Sequence, residues 1–194
     1  MREIKNAIIA VVAFSMALGL AYPLVMTGAA QALFPGRADG SLVERDGKVV
    51  GSRLIGQDFS DDGDAFQSRP SVTGYAPNAT YFNNLGPNQK DLAELLKENM
   101  KTYLDREGRY TPGLTAARVP ADAVTTSASG VDPHISEANA LIQANRVAER
   151  RGLDRGRVVE LMRDHSSRPL FGLAGERSVN VLGLNLALDE ETAR

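Results

Sequence analysis

Between Val124 and Ser136 the chain reads VTTSASGVDPHIS. Ser127 or Ser129, with His134 or His165 and Asp132 or Asp164, supply the residue types of a nucleophile, a general base and an orienting carboxylate, the set of a serine hydrolase. The spacing does not select that chemistry. No G-x-S-x-G elbow occurs, and the hydroxyls of Thr125, Thr126, Ser127 and Ser129 beside Gly130 equally serve the backbone of a tight turn. His134 follows Asp132-Pro133 at a helix start and can hydrogen-bond locally. His165 ends another helix, where a protonated imidazole suits the dipole. Two histidines without a spaced carboxylate make a poor zinc site. Asp58, Ser60, Asp62 and Gly63 match the first half of a calcium loop. Its twelfth position, where a bidentate Glu belongs, is Arg69, which would repel the ion, so DFSDDGD reads as a solvated turn. No G-x-x-x-x-G-K-[ST], no helix-opening G-x-G-x-x-G and no D-K-T-G-T is present. The residues alone assign no catalytic group, no metal ligands and no independently bound cofactor.

The elements around the run follow from periodicity and caps. A helix over Gln89–Tyr103 sets Leu92, Leu95, Leu96 and Tyr103 on one face, with Asn88 as N-cap and Asp91 in the first turn. Ser136 caps a helix from about Glu137 to Arg151, with Ala138, Leu141, Ile142, Ala144 and Ala148 as its apolar face and Gly152 as its stop. Asp154 caps a third helix, ending near His165, with Val158, Leu161 and Met162 inward. Leu42 to Ile55 reads as a β-hairpin around Asp46-Gly47. Val179–Leu188 alternates, with Leu182, Leu184, Leu186 and Leu188 on one face, and predicts a strand that pairs with that hairpin. Phe66–Asn88 is a long loop dense in turn formers. Its aromatic tip, Tyr75 to Phe82, is either a contact surface or a set of pins into the domain's own core.

Ahead of all this lies Ala7–Met26, without a charge. As a helix it spans roughly 30 Å, the depth of a bilayer's hydrocarbon core. Arg2 and Lys5 precede it and the next charge is Arg37, a bias that predicts a cytoplasmic N-terminus and an exported domain. Ala30-Gln31-Ala32 fits signal cleavage, but an apolar run of about twenty residues exceeds a signal core and favours a retained anchor. Pro23 stands where it would kink only the last turn. Ala13, Ala17 and Ala21 recur at spacings of four, and Ser15 and Gly19 do so on another face. Such small residues allow a neighbouring helix close approach, though alanine is also simply common in membrane helices. The expected organisation is 1–6 cytoplasmic, 7–26 transmembrane, 27–40 linker and 41–194 an extracytoplasmic domain. The fold class is α+β: one membrane helix, then a small, mostly antiparallel sheet with about three helices. Net charge is −2 over 194 residues, which gives no basic field for nucleic acid. Cysteine is absent, so the domain relies on packing alone.

The VTTSASG-DPHIS run, the helix Gln143–Gly152 and Asn180-Val-Leu-Gly-Leu-Asn-Leu-Ala-Leu-Asp189 resemble the small C subunit of the Kdp-type potassium-transporting P-type ATPase. Gly51–Gln57 (GSRLIGQ), Arg69-Pro70-Ser71 and Asn84-Leu85-Gly86-Pro87 extend the resemblance over nearly the whole chain. Tyr81 and Phe82 depart from it, where the family more often has glycine and serine. The resemblance implies an accessory subunit of a potassium uptake pump in the inner membrane. Its partners would be a channel-like subunit and an ATP-hydrolysing subunit. ATP and potassium would be handled by the complex, and this chain would act as a catalytic chaperone for ATP use. The candidate functional motif is then Thr125, Thr126, Ser127, Ser129, Gly130, Asp132, Pro133 and His134. A membrane-anchored extracytoplasmic serine hydrolase and a secreted binding domain remain as alternatives.

Overall fold

A computed structural model describes residues 1–79, 83–167 and 175–193, in two units, Met1–Ser52 and Arg53–Arg194. In the first unit, helix α1 runs over Arg2–Leu33, 32 residues with none of its apolar span buried. It is interrupted by a π turn at Ala17–Ala21. The cause is Pro23, which has no N–H and whose ring crowds the carbonyl four residues back, so the preceding turn widens. Pro23 therefore lies inside the helix rather than at its last turn, and the expected linker is helical as far as Leu33. A short helix α2 (Pro35–Ala38) follows.

Strands β1 (Leu42–Arg45) and β2 (Lys48–Ser52) form the expected hairpin. Asp46 and Gly47 both have positive φ, 52° and 73°, the type I′ geometry that matches strand twist. The hairpin is a two-stranded sheet of its own and does not pair with the C-terminal segment, contrary to expectation.

In the second unit, α3 covers Lys90–Glu107. Its N-cap is Gln89 rather than Asn88, and the Gln89 side chain accepts from the Gly86 N–H. Strand β3 (His134–Ser136) leads into α4 (Glu137–Arg151), capped by Ser136 as expected, and α5 (Arg155–Asp164) is capped by Asp154. Strands β4 (Ser166–Ser167) and β5 (Ser178–Asn180) complete an antiparallel sheet in the order β3-β5-β4. Val179 faces Ile135 across it, and both are buried.

The alternating leucines are the main correction. Val181–Thr192 is a helix, α6, not a strand. The Asn180 side chain accepts from the Gly183 N–H and caps it. Val181, Leu184 and Leu188 then fall on one buried face, while Leu186 is only half-buried. Leucines two apart fit a helix as well as a strand when every second residue need not face the core. Phe66, Val147, Val158, Met162, Leu184 and Leu188 make the main core. A smaller cluster forms around Tyr103, Ala123 and Val124. On α4 the buried face differs from the expected one. Ala138 is exposed, while Asn139, Gln143 and Arg146 are buried with Ala140, Ala144 and Val147.

Candidate functional site

The Val124–Ser136 run is stitched to two segments distant in sequence. The Arg69 guanidinium bonds Asp132 at 3.0 Å and reaches the Thr125 hydroxyl and Thr126 carbonyl at 3.4 Å. The Ser71 hydroxyl donates to the Gly130 carbonyl at 2.6 Å. The Ser127 N–H donates to the Pro70 carbonyl. From the other side, the Gly56 N–H donates to the Val131 carbonyl at 2.7 Å. A Cβ at Gly56 would drive into the Asp132 carbonyl, and one at Gly130 would meet the Thr73 hydroxyl. Both glycines are needed for close approach, and Gly130 also for its φ of 73°. Three of the resembling segments, GSRLIGQ, Arg69-Pro70-Ser71 and the hydroxyl run, thus meet in one place.

Two of the hydroxyls there serve the backbone. Ser129 accepts from the Val131 N–H, and Thr125 donates to the Ala121 carbonyl. Asp132 accepts from the His134 N–H at 2.9 Å, with the His134 ring nitrogen 3.8 Å from the same carboxylate. Pro133 accepts from the Val181 N–H through its carbonyl. Among the described residues no hydrogen bond joins Ser127 or Ser129 to either histidine, and His165 Nδ1 bonds its own helix at the Leu161 carbonyl. The triad is not assembled. Thr126, Ser127 and Ala128 instead form one wall of a cleft of about 290 Å³ that faces Asn84 and Leu85, with Leu92 and Leu95 of α3 closing it. The loop tip is pinned inward at Tyr75, whose hydroxyl donates to the Arg69 carbonyl. Burial, with Asp58 adding to it, pushes that phenol up to about 12. Tyr81 and Phe82 lie outside the described residues.

The larger polar feature escaped the sequence. An irregular strap, residues 63–67, lies against α4 and α6, and side chains close its backbone. Asn185 accepts from the Phe66 N–H at 2.8 Å and donates to the Phe66 carbonyl at 3.0 Å. Gln143 does the same for Gln67, at 2.7 and 3.2 Å. Arg146 donates to the Gly63 and Ala65 carbonyls. It also pairs with Glu107 at 3.0 Å, and that carboxylate is wholly buried. Burial draws the Arg146 pKa down while Glu107 opposes it. Tyr103 donates to Asn139 and is pushed up, first by burial and then by Glu107. The available signal was spacing. Asn139, Gln143 and Arg146 stand four and three apart, one helical face, but their types read as solvated.

Of the membrane-helix residues, Ala13 and Ser15 lie before the π turn, and Ala17, Gly19 and Ala21 form part of it, all exposed.

A family model described as the c chain of the K+-transporting ATPase, KdpC, matches residues 4–190. The chain belongs to the KdpC family. It is 46% identical to the potassium-transporting ATPase KdpC subunit of Rhodopseudomonas palustris (strain BisB18), over 97% of this chain and 98% of that one. It is 49% identical to that of Polaromonas naphthalenivorans (strain CJ2), over 96% and 93%. For Bradyrhizobium diazoefficiens the figure is 46%, with both chains covered in full. As a KdpC-family member the chain is an accessory membrane subunit of a potassium pump. The hydroxyl run is, structurally, the point where Gly56 and Arg69-Pro70-Ser71 are tied together.

Proposed function

We propose that this chain assembles with the channel-like and ATP-hydrolysing subunits of a Kdp-type pump, stabilises the complex and promotes ATP use by the hydrolytic subunit. The N-terminus is cytoplasmic, residues 1–6, and the domain beyond about residue 41 is exported across the inner membrane. The observation that carries this reading is the helix Arg2–Leu33, with none of its apolar window buried, with Arg2 and Lys5 at its start and Arg37 as the next charge after its apolar run. ATP is cytoplasmic, so in this orientation the exported domain acts on nucleotide affinity through the helix and its membrane partners, as a coupling between sites. The hydroxyl run organises the domain rather than performing hydrolysis. Its Thr125 hydroxyl donates to the Ala121 carbonyl, its Ser129 hydroxyl accepts from the Val131 N–H, and its Asp132 pairs with Arg69.

The orientation is tested with single cysteines at the exposed positions Ser60 and Lys101, in a chain that has no cysteine. A membrane-impermeant thiol reagent should label both in intact cells. Protection at both, relieved by lysis, would place the domain with ATP and overturn coupling through the helix. In the purified pump, omission of the chain should weaken apparent ATP affinity. An unchanged affinity would remove the chaperone role.

A further inference from the structure

Aspartate followed by glycine occurs three times, at Asp39-Gly40, Asp46-Gly47 and Asp62-Gly63. Glycine has no side chain to shield its backbone nitrogen, so that nitrogen can attack the carboxyl carbon of the aspartate before it. The N–Cγ bond forms, and the hydroxyl of the protonated carboxyl leaves as water with the amide proton. Water then opens the cyclic imide. Attack at Cγ restores aspartate. Attack at the former peptide carbonyl leaves the chain running through Cβ and Cγ, an isoaspartyl link of unchanged mass.

The reaction needs an unheld carboxyl, a glycine N–H that donates to nothing, and a peptide free to rotate until the two meet. All three aspartates are exposed, so exposure does not choose among them. Hydrogen bonding does. Asp39 accepts from the Gln31 side-chain amide at 2.8 Å, the Gly40 N–H donates to the Arg37 carbonyl at 3.1 Å, and the Gly40 carbonyl accepts from the Ser52 hydroxyl at 2.7 Å. The Asp62 carboxylate accepts from the Asp64 N–H at 2.9 Å, its carbonyl accepts from the Gln67 amide at 2.8 Å, and Arg146 holds the Gly63 carbonyl. Asp46 and Gly47 form the tip of the β1–β2 hairpin, between the paired Arg45 and Lys48. There the carboxylate has no hydrogen bond or ion pair among the described residues, and the Gly47 N–H donates to none of their carbonyls.

The turn is the one restraint left. Asp46 and Gly47 have φ of 52° and 73°, and closing the ring requires the peptide between them to rotate out of that geometry. The hairpin resists only weakly. It pairs with no other strand, and its register slips between Val43 and Glu44. A lone two-stranded hairpin is marginal in water, and such elements open locally far below the cost of global unfolding.

We propose that Asp46-Gly47 is a modification site, where the folded chain converts spontaneously from an aspartyl to an isoaspartyl link. The product adds a methylene to the backbone of a two-residue turn whose length sets the register of the hairpin.

The test ages the full chain in detergent at neutral pH, folded and in guanidinium chloride. Methyl transfer from labelled S-adenosylmethionine by an isoaspartyl methyltransferase counts the product. Lost cleavage by a protease that cuts before aspartate but not before isoaspartate locates it. In the folded chain most of the product should lie at residue 46. Asp46→Glu, whose ring would have six members and closes far more slowly, should remove most of the label, while Asp39→Glu and Asp62→Glu leave it. A variant that unfolds would gain label at the remaining pairs and so cannot imitate that loss. Product shared evenly among the three pairs, product greater at residue 39 or 62, or a folded chain that stays unlabelled while the denatured one reacts would overturn the proposal.

Discussion

At residues 63–67 the backbone runs without regular structure, yet Asn185, Gln143, Arg146 and Arg151 close its polar groups. At Ala17–Ala21 the backbone is helical, yet Pro23 withholds the N–H that would close it. Regular structure is thus a poor guide to whether hydrogen bonding is complete. The domain recruits amide and guanidinium side chains because a buried peptide group left alone is costly. The turn at Ala17–Ala21, made of Ala, Leu and Gly, has no such side chains of its own. Side chains close the one region from within, and the other has none beside it to do so.

That contrast can be broken first at Arg146. Arg146→Leu leaves the wholly buried Glu107 carboxylate with Arg106 alone, at 2.7 Å, and removes the donor to the Gly63 and Ala65 carbonyls; it should cost about 2–4 kcal/mol. Chemical denaturation of the full chain in detergent reads it, and a loss below about 1 kcal/mol would mean that the pair does not close the core. Asn185→Leu removes both partners of Phe66 and should cost about 2–4 kcal/mol. Amide exchange at Phe66 should become faster than global unfolding allows, through local opening, and an unchanged rate would show another partner at hand. Gly56→Ala pushes a methyl into the Asp132 carbonyl and should cost about 1–3 kcal/mol, with detergent-resistant assembly of the membrane helix unaffected. Asn180→Ala removes the α6 cap and should cost about 1 kcal/mol.

The smallest effect at neutral pH concerns Tyr75 and Tyr103. Both phenols are raised by burial, Tyr75 to about 12. The unfolded chain ionises them near their ordinary value of 10.0 and the folded chain only above it. Their contribution is therefore present below about pH 10 and is lost as pH rises from there towards 12. Tyr75→Phe should flatten the alkaline fall in stability measured by pH-dependent unfolding, and an identical slope would contradict it.

Several elements were legible because local chemistry fixes them. Asp46-Gly47 can hardly be anything but a hairpin turn, and Ser136 and Asp154 announce their helices through the backbone N–H groups that they accept. Val181–Thr192 reads as a strand because Leu182, Leu184, Leu186 and Leu188 alternate, while the signal that decides for a helix is one residue, the cap Asn180. The hydroxyl run was visible as unusual, and its triad residue types were present. Only the tertiary pairing with Arg69, Ser71 and Gly56 shows that those groups hold segments together. The buried stripe of Asn139, Gln143 and Arg146 followed helical spacing but broke the rule that such residues face water. Its partners, on the strap and at Glu107, lie 39 to 83 residues away in the chain.

The clamp on Phe66 also sets an order of events. Its two bonds come from Asn185, 119 residues later. At about 5–20 residues per second, Phe66 waits roughly 6–24 s after its own synthesis before that amide exists. Until then the strap has only α4 to lean on, and a chain cut short before α6 keeps Phe66 and the inner face of α4 open to proteases. The C-terminal helix works as the closing pin of the domain, so its loss should be felt as failed maturation before it is felt as failed transport.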